Sequence, residues 1–252
     1  MKLLTLARDL RRRKARERQR LFTVEGVRTV EELVRSPLRV HGVLAAPQLI
    51  DAPRGAALLA TLRSRGIDVL EVTAQEFASA AETDSPQGVL AVAAVPPHEL
   101  ESLSLPPAAR IVVLDAVQDP GNVGTIVRTA AALGASAVVA TPGTVDLWNA
   151  KVVRSAMGAG FHLPTLACTW DALDAFRRRE SLALWGGDAG GTPLHELKPP
   201  ERLALVVGNE GAGLSADARR LVDRLVALPI AETVESLNVA VATGILLYQL
   251  RS

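Results

Sequence analysis

The sequence predicts a mixed α/β protein, with a C-terminal domain built on a parallel sheet and a smaller N-terminal α/β domain. Strand-like and helix-like segments alternate along the chain, which favours helices packed on both sides of a mostly parallel sheet. The run "RIVVLDAV" at 110–117 is apolar and β-branched, as in strands that are buried on both faces. Four prolines fall within 96–107, where neither a helix nor an inner strand can continue. We therefore expect domains at 1–95 and 108–252, joined by a linker at 96–107.

The N-terminal elements follow from short patterns between Phe22 and Val95. The predicted strands are "LFTVEG", "LRVHGVLAA", "IDVLEV" and "GVLAVAAV". The predicted helices are "VRTVEELVRS", "AALLATLRSRG", which Gly66 closes, and "AQEFASAAE". These elements form a compact α/β unit.

The same alternation continues in the C-terminal half. After the strand at 110–117 and the helix that follows it, the predicted strands are "SAVVAT", "SLALWGG", "RLALVVG" and "RLVALPI". The predicted helices are "LWNAKVVRSAMG", "WDALDAFRRRE", "LSADARRLVD" and the final "SLNVAVATGILLYQL". This order of elements predicts a parallel sheet covered by helices on both faces.

The composition favours a soluble protein of a reducing compartment. Hydrophobic residues make up 48% of the sequence, but no apolar run approaches the roughly 18 residues of a membrane span, and the N-terminus lacks a signal-peptide pattern. Cys168 is the only cysteine, which excludes an internal disulfide and a cysteine-cluster metal site. We expect a cytoplasmic protein that binds no metal.

Positive charge is concentrated at the N-terminus. The formal net charge is only +1, but residues 1–20 hold nine Lys or Arg against Asp9 and Glu17, a net of +7. Clustered cations gain affinity for nucleic acid by displacing counterions from phosphates, but a solvated terminal helix can have the same composition. Charge alone leaves both interpretations open. Aromatic residues are scarce, so an RNA contact would depend on backbone charge and shape rather than on base stacking.

Three glycine-rich segments each follow a predicted strand, where open parallel sheets bind ligands. The first is "DPGNVGTIVR" at 119–128. Asn122 is placed to cap the helix, and Gly124 and Arg128 lie one turn apart on a face of small residues. We expect Arg128 to emerge along a shallow groove that a ligand or another chain can approach, although a cap followed by a surface arginine has the same pattern.

The second segment is "VVGNEGAGLS" at 206–215. Its glycine spacing matches neither the Rossmann fingerprint nor the Walker motif, so it does not indicate a phosphate cradle. Glycines here would let the backbone approach an adenosine, with Glu210 as an acceptor or charge partner. A further glycine cluster, "WGGDAGG" at 185–191, has a flexible turn as its default interpretation.

The third segment is "ALPIAETVESLNVAVATG" at 227–244. Ser236 is a good N-cap for the last helix, with Asn238 in the first turn. A polar Asn238 is unusual at the start of a helix that should be buried. It either satisfies local backbone donors or faces the same crevice as Asn122 and Arg128.

Together, these segments resemble the SpoU, or TrmH-like, family of RNA 2′-O-ribose methyltransferases in the SPOUT superfamily. The N-x-G-x-x-x-R, G-x-E-G and P-x-x-x-x-x-S-L-N motifs of that family match, in order, Asn122, Gly124 and Arg128; Gly208, Glu210 and Gly211; and Pro229, Ser236, Leu237 and Asn238. More loosely, "FTVEGVRTVEELV" and "ETDSPQGVLAVA" resemble the ribosomal-protein-like substrate-binding domain that many members carry.

The resemblance implies a fold, a cofactor and an assembly. The fold would be a parallel sheet whose C-terminal segment passes through a loop as a trefoil knot, which general topology rules alone would make very improbable. The cofactor would be S-adenosylmethionine, with S-adenosylhomocysteine as the product. It would be held by Gly208, Leu228, Ile230 and Leu237. Family members act as homodimers in which an arginine of the partner completes the site.

The resemblance also assigns catalytic roles. Arg128 would accept the proton of the ribose 2′-hydroxyl or hold the adjacent phosphate. Because a free arginine resists deprotonation, we favour phosphate clamping and oxyanion stabilisation. Orientation of the ribose and of Arg128 would fall to Asn122, Glu210, Ser236 and Asn238.

The N-terminal domain favours ribosomal RNA as substrate over transfer RNA. A transfer RNA methyltransferase and a non-catalytic RNA-binding protein of the same fold remain the alternatives. A nucleotide-dependent oxidoreductase would need a phosphate-binding fingerprint, which this sequence lacks.

Overall fold

A computed structural model describes residues 2–231 and 233–251 and confirms the α/β class. The chain folds into two compact units. The first comprises Met1–Pro97 and Trp148–His162, and the second comprises His98–Leu147 and Leu163–Ser252. The chain thus leaves the first unit, builds part of the second, returns once to the first and then completes the second.

Ten strands and ten α-helices lie within the described residues. The strands are β1 (Leu21–Glu25), β2 (Val40–Ala45), β3 (Val69–Glu71), β4 (Val89–Ala94), β5 (Ala109–Leu114), β6 (Ala137–Ala140), β7 (Thr165–Ala167), β8 (Ala183–Pro193), β9 (Arg202–Val207) and β10 (Arg224–Ala227). The helices are α1 (Leu3–Asp9), α2 (Arg13–Gln19), α3 (Val27–Arg35), α4 (Pro53–Ser64), α5 (Ala74–Ala78), α6 (Pro120–Ala132), α7 (Ala150–Ser155), α8 (Trp170–Arg179), α9 (Ala216–Leu221) and α10 (Val239–Leu250).

The first unit contains a four-stranded sheet in the order β1-β4-β2-β3. β4 lies between β1 and β2 and is antiparallel to both, whereas β2 and β3 are parallel. All five residues of β1 are buried, because helices or loops cover both of its faces.

The segment that returns to the first unit packs on β1. Phe22 of β1 contacts Trp148 and Phe161, with ring centroids 4.5 and 6.0 Å apart. Val153 of α7 is buried in the same apolar cluster. The sequence predicts the helix of this segment, but its linear pattern carries no sign of the return, because these apolar side chains would suit either core.

The basic N-terminal segment is part of the core of the first unit. Ala7 and Leu10 are fully buried in a cluster that includes Phe77 and Leu90. The guanidinium of Arg16 also bonds to the backbone of this segment: its Nη1 donates to the carbonyls of Leu10 and Arg11 at 2.8 and 2.9 Å. The segment is therefore a folded surface element and not a detached terminal helix.

The second unit contains a six-stranded sheet in the order β10-β8-β9-β5-β6-β7, and every neighbouring pair is parallel. The predicted parallel sheet is therefore confirmed. β7, a strand of three residues at one edge of the sheet, is absent from the sequence prediction because it is too short to give a pattern. α10 packs against α6, where Gly244 lies close to the methyl group of Thr129.

The proline-rich segment expected to be a linker is held against the second unit. Leu100 and Leu105 are buried in the core of that unit. The Arg179 guanidinium donates to the carbonyl of Glu101 at 3.0 Å, and the Arg202 guanidinium donates to that of Leu105 at 3.2 Å. None of the helices in the described ranges is long and apolar enough to cross a membrane.

We predict that Leu10→Ala lowers the free energy of unfolding by about 2–4 kcal/mol, because it removes a fully buried side chain and leaves a cavity. Urea denaturation would measure this change. Ile50→Ala, at an exposed apolar position of the same unit, is the control and should change stability by less than about 0.5 kcal/mol. Equal stability of the Leu10 and Ile50 variants would show that the basic segment is not anchored as described.

Candidate active site

The carboxyl ends of four neighbouring strands of the second unit carry the three motif segments and the "WGGDAGG" segment. In a parallel sheet, all of these ends meet at one edge, so the loops that follow β5, β9 and β10 gather there with the C-terminal part of β8. The sheet therefore brings together segments that are remote in the chain. Side-chain hydrogen bonds then fix how these loops are arranged.

The loop after β5 begins α6 with a cap that the sequence analysis assigns to the wrong residue. Asp119, not Asn122, is the N-cap, and its carboxylate accepts the Asn122 backbone N–H at 2.8 Å. Pro120 follows at the first helical position, where its missing N–H costs nothing. The side chain of Asn122 is thereby left to bond with the other loops.

Glu210 joins the loop after β9 to the loop after β5. Its carboxylate accepts the backbone N–H groups of Gln118 and Asp119 at 3.2 and 3.0 Å. It also accepts Nδ2–H of Asn122 at 3.0 Å. Glu210 is therefore a structural acceptor for the backbone of this turn, and not a free loop carboxylate.

Asn238 joins the third segment to the same group. Its Nδ2 donates to Oδ1 of Asn122 at 3.0 Å, while its own Oδ1 caps α10 by accepting the N–H of Ala240 and of Val241. The prediction that Ser236 caps this helix is wrong, because the helix begins at Val239 and Asn238 is the N-cap. Asn238 therefore satisfies local backbone donors, as the first interpretation has it, and it also contacts Asn122, but the crevice shared with Arg128 that the second interpretation expects is not formed by the described residues.

Asn209 is a further site residue, which sequence reasoning passes over. Its Nδ2 donates to the carbonyl of Ala116 at 2.9 Å, and its Oδ1 accepts the N–H groups of Gly211 and Ala212, each at 3.0 Å. Ala116 has a φ of +55°, in the left-handed region. The signal in the sequence is an asparagine directly after Gly208 in a glycine-rich loop, since asparagine bonds readily to nearby backbone.

Gly208 is required by the close approach of two backbone segments. A Cβ at this position would lie 2.3 Å from the carbonyl carbon of Gly213 and 2.4 Å from its oxygen. Any side chain would therefore displace the backbone of the loop. The glycine is thus required by packing of the loop on itself, and the expectation that it lets backbone approach a ligand stays a prediction.

Glu210 is held in its charged form. Burial by itself would raise the pKa of this carboxyl, but the hydrogen bonds from the Asn122 side chain and from backbone amides lower it below the ordinary 4.5. At neutral pH, the carboxylate is therefore ionised and accepts without competition from a proton of its own.

A cavity of about 570 Å³ opens beside this hydrogen-bonded group. Its lining includes all four residues expected to hold the cofactor, namely Gly208, Leu228, Ile230 and Leu237, and also Glu210, Ser236 and Asn238. Apolar side chains and exposed backbone suit a neutral aromatic ring, and the volume lies in the range of small-molecule sites. Within the described part of the chain, no cluster of His, Cys, Asp or Glu could hold a metal ion.

Arg128 is placed differently from the other site residues. It lies on the exposed side of α6, and the cavity lining, as far as the described residues define it, does not include it. Gly124, one turn earlier, is buried, so the two residues do not share an open face. One chain alone thus assembles Asn122, Glu210 and Asn238, but does not bring Arg128 to the cavity wall.

Comparisons with known proteins agree with this site. The SpoU rRNA Methylase family profile matches residues 109–248, and the MRM3-like substrate binding domain profile matches residues 5–91. The chain is 37% identical over 243 residues to the 23S rRNA (guanosine(2553)-2′-O)-methyltransferase RlmP of Bacillus subtilis (strain 168), covering 96% of this chain and 93% of that protein.

Two solved structures are similar over nearly the whole chain. The SpoU methyltransferase AviRb of Streptomyces viridochromogenes, in complex with the cofactor AdoMet, has a TM-score of 0.89 at 28% identity and covers 99% of this chain and 97% of that one. The AdoMet-bound rRNA methyltransferase of Sinorhizobium meliloti has a TM-score of 0.87 at 28% identity, with coverage of 99% and 94%.

We predict that Glu210→Gln destabilises the protein by about 1 kcal/mol at neutral pH, the scale of a hydrogen bond to a charged group at a partly solvated position. Because the pKa of Glu210 is lower in the folded protein than its ordinary 4.5, this contribution is complete above pH 4.5 and is lost as the pH falls through the lowered value. Denaturation at a series of pH values should show the gap between wild type and variant closing in acid. The matched control is Glu201→Gln at an exposed position, and a gap independent of pH would contradict the prediction.

Proposed function

This chain belongs to the SpoU rRNA methylase family, and we propose that it transfers a methyl group from S-adenosylmethionine to a ribose 2′-hydroxyl of ribosomal RNA. The observation that carries the proposal is that hydrogen bonds join the three motif segments beside one cavity, which residues of the second and third segments line. Asn122, Glu210 and Asn238 are joined by hydrogen bonds, and Gly208, Glu210 and Asn238 line the cavity.

The cavity fits the proposed cofactor. Leu228, Ile230 and Leu237 offer apolar surface to an adenine ring, and the close-packed backbone at Gly208 offers amide and carbonyl groups to its edge. When bound, S-adenosylmethionine supplies an electrophilic methyl group on a sulfonium. The chain itself needs no anion-binding helix N-terminus here, because this cofactor carries no phosphate.

The polar residues then position the acceptor. Glu210 fixes the amide of Asn122, which in turn orients Asn238, so the polar wall of the cavity is preorganised. Ser236 also lines the cavity, and we assign its hydroxyl to the orientation of the ribose. Arg128 binds the phosphate beside the ribose and stabilises the developing oxyanion.

We propose that the active form is a homodimer in which Arg128 of one protomer completes the cavity of the other. α10 presents Val241, Ile245 and Tyr248 to solvent, with exposed fractions of 52%, 40% and 55%. Their spacing places them on one face of the helix, as expected of an apolar surface that a partner covers. α10 packs against α6, the helix that carries Arg128, so the unpaired arginine and the apolar face lie on adjoining helices.

The first unit is proposed to bind the RNA. It holds 17 Lys or Arg against 11 Asp or Glu, a net of +6, whereas the second unit holds 11 against 16, a net of −5. This asymmetry and the match to a substrate binding domain support an RNA-binding domain at 1–95, a linker at 96–107 and a catalytic domain at 108–252. Relatives named as 23S rRNA methyltransferases favour ribosomal over transfer RNA, and hence action in the cytoplasm.

We also propose that the C-terminal segment is threaded as a trefoil knot. The proposal is supported by the order of the second sheet, in which β8 and β9 separate β10 from β5. It is further supported by the packing of α10 on α6, an element more than a hundred residues earlier. Knots are very rare among proteins in general, and it is membership of this family that favours one here.

We predict that the wild-type protein transfers labelled methyl from S-adenosylmethionine to ribosomal RNA and that Arg128→Ala lowers turnover at least about tenfold, a loss of roughly 1.4 kcal/mol of transition-state stabilisation. Cofactor affinity should stay unchanged, since Arg128 lies outside the cavity lining. Digestion of the RNA to nucleosides would locate the label on ribose. Labelling of transfer RNA alone would support the first alternative substrate, and absence of transfer to any RNA would support a non-catalytic binding protein.

Mixing subunits tests whether Arg128 acts across the dimer. Gly208→Ala damages the cavity of its own chain, because the added Cβ collides with the Gly213 backbone. If Arg128 acts in the partner's cavity, refolding Arg128→Ala with Gly208→Ala in equal amounts should restore roughly a quarter of the wild-type sites, one in each mixed dimer. Activity that stays at the level of the separate variants would place Arg128 in its own subunit's site.

We predict that neutralising Arg11, Arg13 and Lys14 to Gln weakens RNA binding and reduces the slope of log affinity against log salt by about 2, as expected when a few phosphate contacts are lost. All three side chains are exposed, so the fold should be preserved. Truncation would be a poorer test, because the segment is part of the core. The same substitutions at Lys198, Arg220 and Arg224 of the second unit remove equal charge, and an equal effect there would contradict a specific RNA-binding role for the N-terminal segment.

A further inference from the structure

The glycine-rich segment "WGGDAGG" at 185–191 forms part of the cavity and is not simply a turn. β8 pairs with β10 through Leu225 opposite Gly186, but the next pair is Val226 opposite Thr192. Five residues of β8, 187–191, are therefore accommodated between two consecutive residues of β10. Such bulges aim side chains away from the regular pleat and are frequent beside active sites.

The glycines at the two ends of this bulge allow its close return to the sheet. A Cβ at Gly191 would lie 2.6 Å from backbone atoms of Leu225 and Val226. A Cβ at Gly186 would lie 2.7 Å from the Leu214 side chain. The bulge is thus closely fitted at both ends, and its middle residues, Asp188 and Ala189, line the cavity together with Gly187.

Asp188 and Arg219 form an ion pair on the cavity wall. Oδ2 of Asp188 accepts from Nη2 of Arg219 at 2.5 Å, and Oδ1 accepts the N–H of Gly190 at 2.9 Å. The side chains are 22% and 47% exposed. The bond uses one of the five N–H donors of the guanidinium, and the carboxylate keeps lone pairs free for a further donor.

Charge along the lining restricts where an anionic group of a ligand can bind. Among the described residues of the cavity wall, Arg219 is the one cation, against the acidic Asp188, Glu210 and Glu235. Glu210 is already occupied by its backbone donors and Asn122. A partly exposed ion pair adds little to stability, about 0–1 kcal/mol, so stability alone does not account for its position on a closely fitted bulge.

We propose that Asp188 and Arg219 bind the zwitterionic amino-acid end of S-adenosylmethionine, an inference that rests on the proposed function. The ligand's carboxylate receives N–H bonds from Arg219, and its ammonium donates to Asp188. Each ligand charge is then paired with a side chain of opposite charge, while the adenine occupies the apolar part of the cavity. The hydrogen bond from Gly190 lowers the pKa of Asp188, against the opposing effect of burial, and the Arg219 guanidinium lowers it further, so the carboxylate is charged when the ligand arrives.

Ligands that differ only in the amino-acid end test the proposal. S-adenosylhomocysteine carries that end, whereas 5′-methylthioadenosine keeps the adenosine and the sulfur but lacks it. Titration calorimetry on the full chain would give the affinity of each for wild type, Asp188→Asn and Arg219→Gln. We expect both variants to bind S-adenosylhomocysteine about tenfold more weakly or worse, and to bind 5′-methylthioadenosine within about twofold of wild type.

Arg220→Gln is the matched control, since Arg220 is the next residue on α9, is exposed and pairs with Asp217 outside the cavity lining. It should leave both affinities unchanged. If Asp188→Asn is poorly folded by circular dichroism, Arg219→Gln, at a half-exposed side chain, carries the test alone.

The outcomes separate this inference from the proposed function. If the wild-type protein binds neither ligand, both the proposed cofactor and this inference are wrong. If the wild type binds S-adenosylhomocysteine and the variants bind it equally well, the inference alone is overturned. An equal loss of affinity for both ligands would also overturn it, because the pair would then support the bulge or contact the nucleoside.

Discussion

The hydrogen bonds accepted by Glu210, and the one that passes from Asn238 to Asn122, hold together loops that are distant in the chain. Asn122 is separated from Glu210 by 88 residues and from Asn238 by 116. Side chains alone could not bring such segments together, because closing long loops costs conformational entropy. Formation of the parallel sheet already brings these loops together, since its strands all end at one edge. The polar side chains then stabilise one arrangement of the neighbouring loops. Placing a carboxylate at the centre is effective because it accepts several donors and offers none, so backbone amides and an amide side chain can converge on it.

The same arrangement explains the local strain after β5. Ala116 adopts a left-handed conformation, which costs about 1–2 kcal/mol for a residue with a Cβ. Its carbonyl then accepts from Asn209, and the turn that follows directs the N–H groups of Gln118 and Asp119 at Glu210. The strain is offset by these three hydrogen bonds between two loops, which help to shape the polar wall of the cavity. Strain kept beside a binding site in this way is a form of preorganisation.

Features of the fold and site that depend on local sequence could be predicted, whereas features that depend on contacts between residues distant in the chain could not. The alternating elements and the three motif segments follow from local pattern, and the structure gathers the segments as expected. Local rules assign the N-caps of α6 and α10 to the wrong residues. Each helix start offers two residues that can cap, Asp119 and Asn122 in α6 and Ser236 and Asn238 in α10, and residue type alone does not choose between them. Pro120 was the available signal, since a proline at the first helical position places the cap at Asp119. The return of 148–162 to the first unit and the bulge at 187–191 depend on long-range packing and register, for which a single sequence carries no local pattern.

The distribution of charge gives a physical reason for dividing the protein into two units. The second unit is net negative and lines its cavity mainly with carboxylates and apolar groups, which suits a cationic sulfonium ligand but repels a polyanion. An RNA substrate therefore has to be attracted by cations elsewhere, and the first unit supplies them. Charges are screened beyond a Debye length of about 8 Å in physiological salt, so a cation is also needed next to the reacting ribose. Arg128 is exposed, lies outside its own chain's cavity lining and sits on a helix beside an apolar face, and these properties together suit a residue that acts in a partner's site.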